Sequence, residues 1–116
     1  SEAEYLESFR DNMAEMVNLY CAMAYPGSPL HMEARRKGWD LPKTYSGYSQ
    51  HSYDTLNLPN NNLSSDEILA FRDKAWMDYH TNPSYLKLLE DKFGKPARDN
   101  VEQTTKIKLK RQLLGD

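Results

Sequence analysis

The chain of 116 residues has one cysteine, Cys21, and no imbalance of charge worth the name: 15 lysines and arginines face 17 acids, for a formal net charge of -2. A lone thiol excludes an internal disulfide framework and makes a reducing, cytoplasmic setting the expectation. The charge balance removes any bulk attraction to nucleic acid or to an anionic membrane surface. Long apolar runs are missing too. Nothing approaches the roughly 20 residues of a membrane span, and the first residues carry no secretory pattern. The three histidines, His31, His51 and His80, stand at no metal-ligand spacing, and neither C-x-x-C nor H-x-x-x-H occurs. No internal repeat is present, and Asn60-Asn61-Asn62 is the one low-complexity tract. No metal site, nucleic-acid partner or membrane span is therefore expected.

What is present suits a single modest domain, with 39% hydrophobic and 28% charged residues. Tyr5, Leu6, Phe9, Met13, Met16 and Val17 recur at three- and four-residue steps, so residues 2–17 read as an amphipathic helix. The period then changes. Residues 19–25 are short, nearly all apolar and halted by Pro26, as in a buried parallel strand, although a buried helical segment has the same look. Pro26-Gly27-Ser28-Pro29 turns the chain into a short helix that Gly38 stops after Arg35, Arg36 and Lys37, with Trp39 and Leu41 folding back over its end.

Residues 42–63 have no sustained period and are rich in Ser, Asn, Tyr and Pro, and so long an irregular connection needs a reason. Four of the eight tyrosines, Tyr25, Tyr45, Tyr48 and Tyr53, fall in or just before it. They either pin the loop to its scaffold or contact a ligand. Helices follow. Ser64 and Glu67 form an S-x-x-E capping box, Asn82-Pro83 ends one helix and starts the next, and Gly94 and Pro96 do the same again. The last helix is expected to run through Val101, Ile107, Leu109, Leu113 and Leu114, completing a cluster of three.

Few residues offer chemistry. Cys21 in an apolar segment reads as a small buried hydrophobe. Asp66, Glu67, Asp73 and Asp78 sit where capping and solvated helix faces account for them. Lys106, Lys108, Lys110 and Arg111 make the one basic run, read as the wet face of a terminal helix or as partners for acids on a neighbouring domain rather than as a nucleic-acid site. His51 lies in Ser46-Gly47-Tyr48-Ser49-Gln50-His51-Ser52-Tyr53, a stretch dense in hydrogen-bonding groups that grips either its own scaffold or a polar ligand. Pro26-Gly27-Ser28-Pro29 places backbone groups at a strand's carboxyl end, where α/β sheets and barrels bind ligands.

The ordered set Tyr25-Pro26-Gly27-Ser28-Pro29-Leu30, Lys37-Gly38-Trp39, the 45–53 stretch, Leu63-Ser64-Ser65, Phe71-Arg72-Asp73-Lys74-Ala75, Asn82-Pro83-Ser84-Tyr85-Leu86 and Thr105-Lys106-Ile107-Lys108-Leu109-Lys110-Arg111 resembles radical S-adenosylmethionine enzymes that carry a cobalamin-binding domain. These are relatives of the anaerobic magnesium-protoporphyrin IX monomethyl ester cyclase. The resemblance covers most of the chain from Asn18 onward. It implies a parent with a [4Fe–4S] cluster, S-adenosylmethionine and cobalamin. The C-x-x-x-C-x-x-C that holds the cluster in that family is absent from this chain, and one cysteine cannot replace it.

The resemblance therefore implies a mainly α fold: the last βα portion of a partial TIM-like barrel over 1–41, the Tyr/Ser/Asn-rich loop over 42–63, and a C-terminal helical extension over 64–116. It implies that Tyr20, Met23, Tyr25, Pro26, Gly27 and Ser28 line the S-adenosylmethionine pocket in the parent. Tyr45, Tyr48, Gln50, His51 and Tyr53 would lie on the substrate side. No residue of this chain is expected to be catalytic or to bind a metal. The expected partner is the rest of the parent chain, with self-association of the isolated piece as a further expectation. The alternative is an independent helical module that docks a partner through its Tyr-rich loop and basic terminal helix.

Overall fold

The computed structural model describes residues 19–116. The helix expected over 2–17 lies outside the described residues. Among the described residues four α-helices follow one another: α1 (Pro29–Lys37), α2 (Ser65–Thr81), α3 (Pro83–Phe93) and α4 (Lys95–Thr105). Two short 3-10 turns, Tyr45–Tyr48 and Gln112–Leu114, complete the regular structure of those residues. The fold is mainly α, as the composition and caps imply.

Local signals fix the helix ends. Pro26 and Gly27 occupy the centre of a turn closed by the Ser28 N–H on the Tyr25 carbonyl at 3.1 Å, and Gly27 takes φ +86°. Proline then glycine with positive φ makes a type II turn, in which a Cβ at Gly27 would be strained. Ser28 caps α1: its hydroxyl accepts from the His31 N–H at 3.1 Å and donates to the Tyr25 carbonyl at 2.7 Å. At the other end the Gly38 N–H donates to Arg35 and the Trp39 N–H to Ala34, the paired bonds of a Schellman stop. The Glu67 carboxylate accepts from the Ser64 N–H at 3.2 Å before α2, and the Asn82 side chain accepts from the Ser84 N–H at 2.9 Å before α3.

Two expectations fail. Residues 19–25 form no strand, and there is no strand among the described residues. A strand needs a ladder, and here the Leu58 N–H on the Ala22 carbonyl at 2.9 Å is matched by no neighbouring rung. The Cys21 N–H and carbonyl are taken instead by the Gln50 side chain. The last helix also stops short, at Thr105 rather than Leu114. Near its end the hydroxyls of Thr104 and Thr105 bond to the Asn100 and Glu102 carbonyls, and residues 109–116 pack with the earlier part of the chain.

The described residues divide into two compact units. The loop unit comprises 19–74 and 109–116. Ala24, Ala34 and Leu58 form a buried cluster with Trp39 and Leu41 packed on it, and Cys21, Met23 and Leu69 are buried as well. The helical unit comprises 75–108, where Tyr85, Leu86, Leu89, Ala97 and Val101 form the core and Tyr79 and Leu88 pack on it. No helix among the described residues is long and apolar enough to cross a membrane.

Candidate functional site

The loop unit carries an open groove of about 510 Å³ lined by Tyr20, Cys21, Tyr25, Tyr48, Ser49, Gln50 and His51. Two stretches of sequence build it. Residues 20–25 supply one wall, and 48–51 the other. The Tyr25 and Tyr48 rings lie 6.2 Å apart at a tilt, and the Tyr20 ring meets the His51 ring edge-on at 6.4 Å. Tyr20 remains 64% exposed, an unusual amount for a ring in ordered contact, so its face is available to whatever enters.

Gln50 ties the two walls together. Its Oε1 accepts from the Cys21 N–H and its Nε2 donates to the Cys21 carbonyl, both at 2.9 Å. The side-chain amide thus makes the pair of bonds that a neighbouring strand makes at a hydrogen-bonded position. Gly47 helps bring the loop in: a Cβ there would stand 2.5 Å from the Pro42 Cβ, so only glycine permits the approach. A surface staple closes the loop, with the Ser46 hydroxyl donating to the Asp54 carboxylate at 2.6 Å and the Thr44 hydroxyl at 3.2 Å. These bonds, led by that from Ser46, hold the Asp54 carboxyl below its ordinary range.

Behind the groove sits a cluster of charge. Arg111 is fully buried, and its guanidinium grips both oxygens of Asp73 at 3.0 Å. The same side chain donates to the Gln50 carbonyl at 2.9 Å and to the Ser52 carbonyl at 3.0 Å. Arg72 donates to the Leu19 carbonyl at 2.7 Å and to Asp73 at 2.9 Å, and its remaining nitrogen lies 3.4 Å from His51 Nε2. Burial pushes the Asp73 carboxyl up, but the hydrogen bonds from Arg111 and Arg72 outweigh it and the net direction is down. Burial also lowers His51, reinforced by the positive charges of Arg72 and Arg111 against the weaker pull of Asp73. The Cys21 thiol is pushed up by burial, which keeps it protonated and poorly nucleophilic.

The groove thus brings together Tyr20 and Tyr25 from the expected pocket set with Tyr48, Gln50 and His51 from the expected loop set. The others stand elsewhere. Met23 is 6% exposed and packed inside, Pro26 and Gly27 form the exposed turn, and the Ser28 hydroxyl is occupied in capping α1. Tyr45 projects 88% exposed, and the Tyr53 hydroxyl donates to the Asp116 carbonyl at 2.7 Å.

Arg72, Asp73 and Arg111 are what sequence reasoning misses. Asp73 reads as a solvated helix acid and Arg111 as the end of a basic run, and 38 positions separate them. No spacing rule joins residues so far apart. Among the described residues no three His, Cys, Asp or Glu side chains gather where they could hold a metal ion. No known protein family, no curated protein and no solved structure matches this chain.

Proposed function

We propose that the chain is a non-catalytic C-terminal portion of a cobalamin-dependent radical S-adenosylmethionine enzyme, where it forms one wall of the substrate and S-adenosylmethionine site. The observation that carries this reading is the groove. Parts of the two stretches that the resemblance singles out separately, Tyr20 and Tyr25 of the first and Tyr48, Gln50 and His51 of the 45–53 loop, line one depression. Its open side is walled by tyrosines and His51, side chains with large faces and polar tips that suit a site completed by another part of a chain. The [4Fe–4S] cluster does not fit these residues, since Cys21 is the one thiol and burial raises its pKa, so no step of cluster chemistry belongs to them. The cluster, and with it S-adenosylmethionine cleavage, would be the task of segments outside this chain.

The coding frame upstream tests the reading. A C-x-x-x-C-x-x-C within roughly 150–200 residues before Ser1, the span of a barrel, supports it. Its absence from an open frame of that length overturns it. In the full-length parent, Tyr25→Ala and Tyr48→Ala are expected to weaken S-adenosylmethionine or substrate binding at least several-fold, read by equilibrium titration. Unchanged binding in both would remove the groove from the site. The alternative of a docking module loses one of its two supports, because residues 106–111 are not a helix and Arg111 is buried.

A further inference from the structure

We propose that Arg72 is a positioning residue that locks His51 as its Nδ1–H tautomer, so that the groove is offered a ring N–H donor and favours ligands with an anionic acceptor group. The selectivity half of this inference rests on the groove being a binding site. The tautomer half does not.

A guanidinium has donors only, so of the two nitrogens in the 3.4 Å contact between Arg72 and His51, Nε2 of the histidine is the acceptor. The ring's one proton in the neutral form is then on Nδ1. Arg72 cannot turn away to accommodate the other tautomer, because its Nε is fixed on the Leu19 carbonyl and its Nη1 on Asp73. The backbone is held as firmly. Arg111 donates to the carbonyls of Gln50 and Ser52, the residues immediately before and after His51, while the Gln50 side chain is tied to Cys21. A protonated ring would set donor against donor and cation against cation at Nε2.

The groups that act on His51 are Arg72 and Asp73 from α2, Arg111 from the C-terminal stretch, and the Tyr20 ring from the opposite wall. Of these charges Arg72 acts most strongly on His51, and the Asp116 carboxylate, which accepts from the Arg111 N–H at 2.9 Å, balances part of the positive charge behind it. An anion with an aromatic body can meet Arg72's charge, the ring N–H and the tyrosine faces together, whereas a cation meets repulsion from Arg72. Nε2 is not free to take a proton from a substrate unless the Arg72 contact breaks. His51 thus acts as a donor that orients, not as a base.

The test is nitrogen-15 NMR on the full 116-residue chain labelled at histidine, with His51 assigned by loss of its signals in His51→Gln. Expected in the wild type are an unprotonated Nε2, a protonated Nδ1 and a titration midpoint below that of a free imidazole. Arg72→Gln is expected to raise the midpoint and to mix the tautomers. A predominant Nε2–H form in the wild type overturns the proposal, even if Arg72→Gln fails to fold. A folded Arg72→Gln with unchanged midpoint and tautomer overturns the role of Arg72. Benzoate and benzylamine then probe the groove, and benzoate is expected to shift the His51 signals while benzylamine does not. An equal or larger response to benzylamine overturns the selectivity. No response to either, with the tautomer as expected, counts against the groove as a binding site and leaves the lock standing.

Discussion

The loop unit and the helical unit are held by different physics. In 75–108, Tyr85, Leu86, Leu89, Ala97 and Val101 bury apolar surface between helices with His80 buried in the same unit, and the ion pairs stay nearer the surface, where Arg98 meets Glu90 and Glu102. In 19–74 with 109–116, Ala24, Ala34 and Leu58 form one buried cluster and Cys21, Met23 and Leu69 are buried as well, while Arg111, Asn57 and Thr55 are among the most deeply buried side chains. Directional polar bonds, those of Arg111 and Gln50 above all, shape the loop unit alongside that apolar burial. The groove belongs to that unit, so its geometry is only as firm as the ion cluster behind it.

The two tryptophans allow the contrast to be measured, since Trp39 packs on the centre of the loop unit and Trp76 stacks on His80 in the helical unit at 4.3 Å. Single-tryptophan variants, with the other changed to Phe, report each unit separately in urea. The largest effect is expected from Arg111→Met. It leaves Asp73 with one partner and strips a donor from the Gln50 and Ser52 carbonyls, so a loss of about 3–5 kcal/mol is expected on the Trp39 transition. If the Trp76 transition moves as far, the contrast between the units is false.

The converse change is Leu89→Ala in the helical unit. Leu89 is fully buried, and its truncation opens a cavity, for an expected loss of about 2–5 kcal/mol read by Trp76. A loss below 1 kcal/mol would mean that helix propensity and caps, not the apolar core, hold that unit. Next in size is Gln50→Ala, which leaves the N–H and carbonyl of Cys21 to water or to nothing. About 1–3 kcal/mol should be lost on the Trp39 transition, with the groove's tyrosine signals in NMR moving while those of Tyr79 and Tyr85 do not.

The same contrast explains what the sequence makes legible. The stop at Gly38 and the caps at Ser64–Glu67 and Asn82–Pro83 can be read because each joins residues within a few positions of one another. The helical unit follows from them almost directly. Residues 19–25 mislead because the apolar pattern records burial and says nothing of a partner, and here the partner is a glutamine side chain 29 positions away. The helix expected through Val101, Ile107, Leu109, Leu113 and Leu114 misleads for a related reason. At about 100° per residue these positions share no single face, and burial of Arg111 on Asp73 draws residues 109–116 into the loop unit. Neither the grouping of Tyr20 and Tyr25 with Tyr48, Gln50 and His51 nor the charged cluster that supports them has a local signature, because both join stretches far apart in the chain.

Acid gives the smallest and most discriminating prediction. His51 is lowered in the folded loop unit, so folding favours its neutral form. Stability from that preference is complete above the unfolded value, about 6.5, and is lost as pH falls from there through the lowered folded value. Asp73 is also lowered, so its contribution is complete above about 4 and is lost as pH falls through its folded value. The Trp39 midpoint in urea should therefore decline in two stages, one beginning near pH 6.5 and a second below about pH 4. His51→Gln should abolish the first stage and leave the second. Asp73→Asn should weaken the unit at neutral pH and shrink the second stage to the share of the carboxyls Asp54 and Asp66, which are lowered too. The Trp76 transition contains neither group and serves as the baseline. A wild-type Trp39 curve that parallels that baseline below pH 4 would show that the charge on Asp73 does not hold the loop unit, and the groove would then need another support.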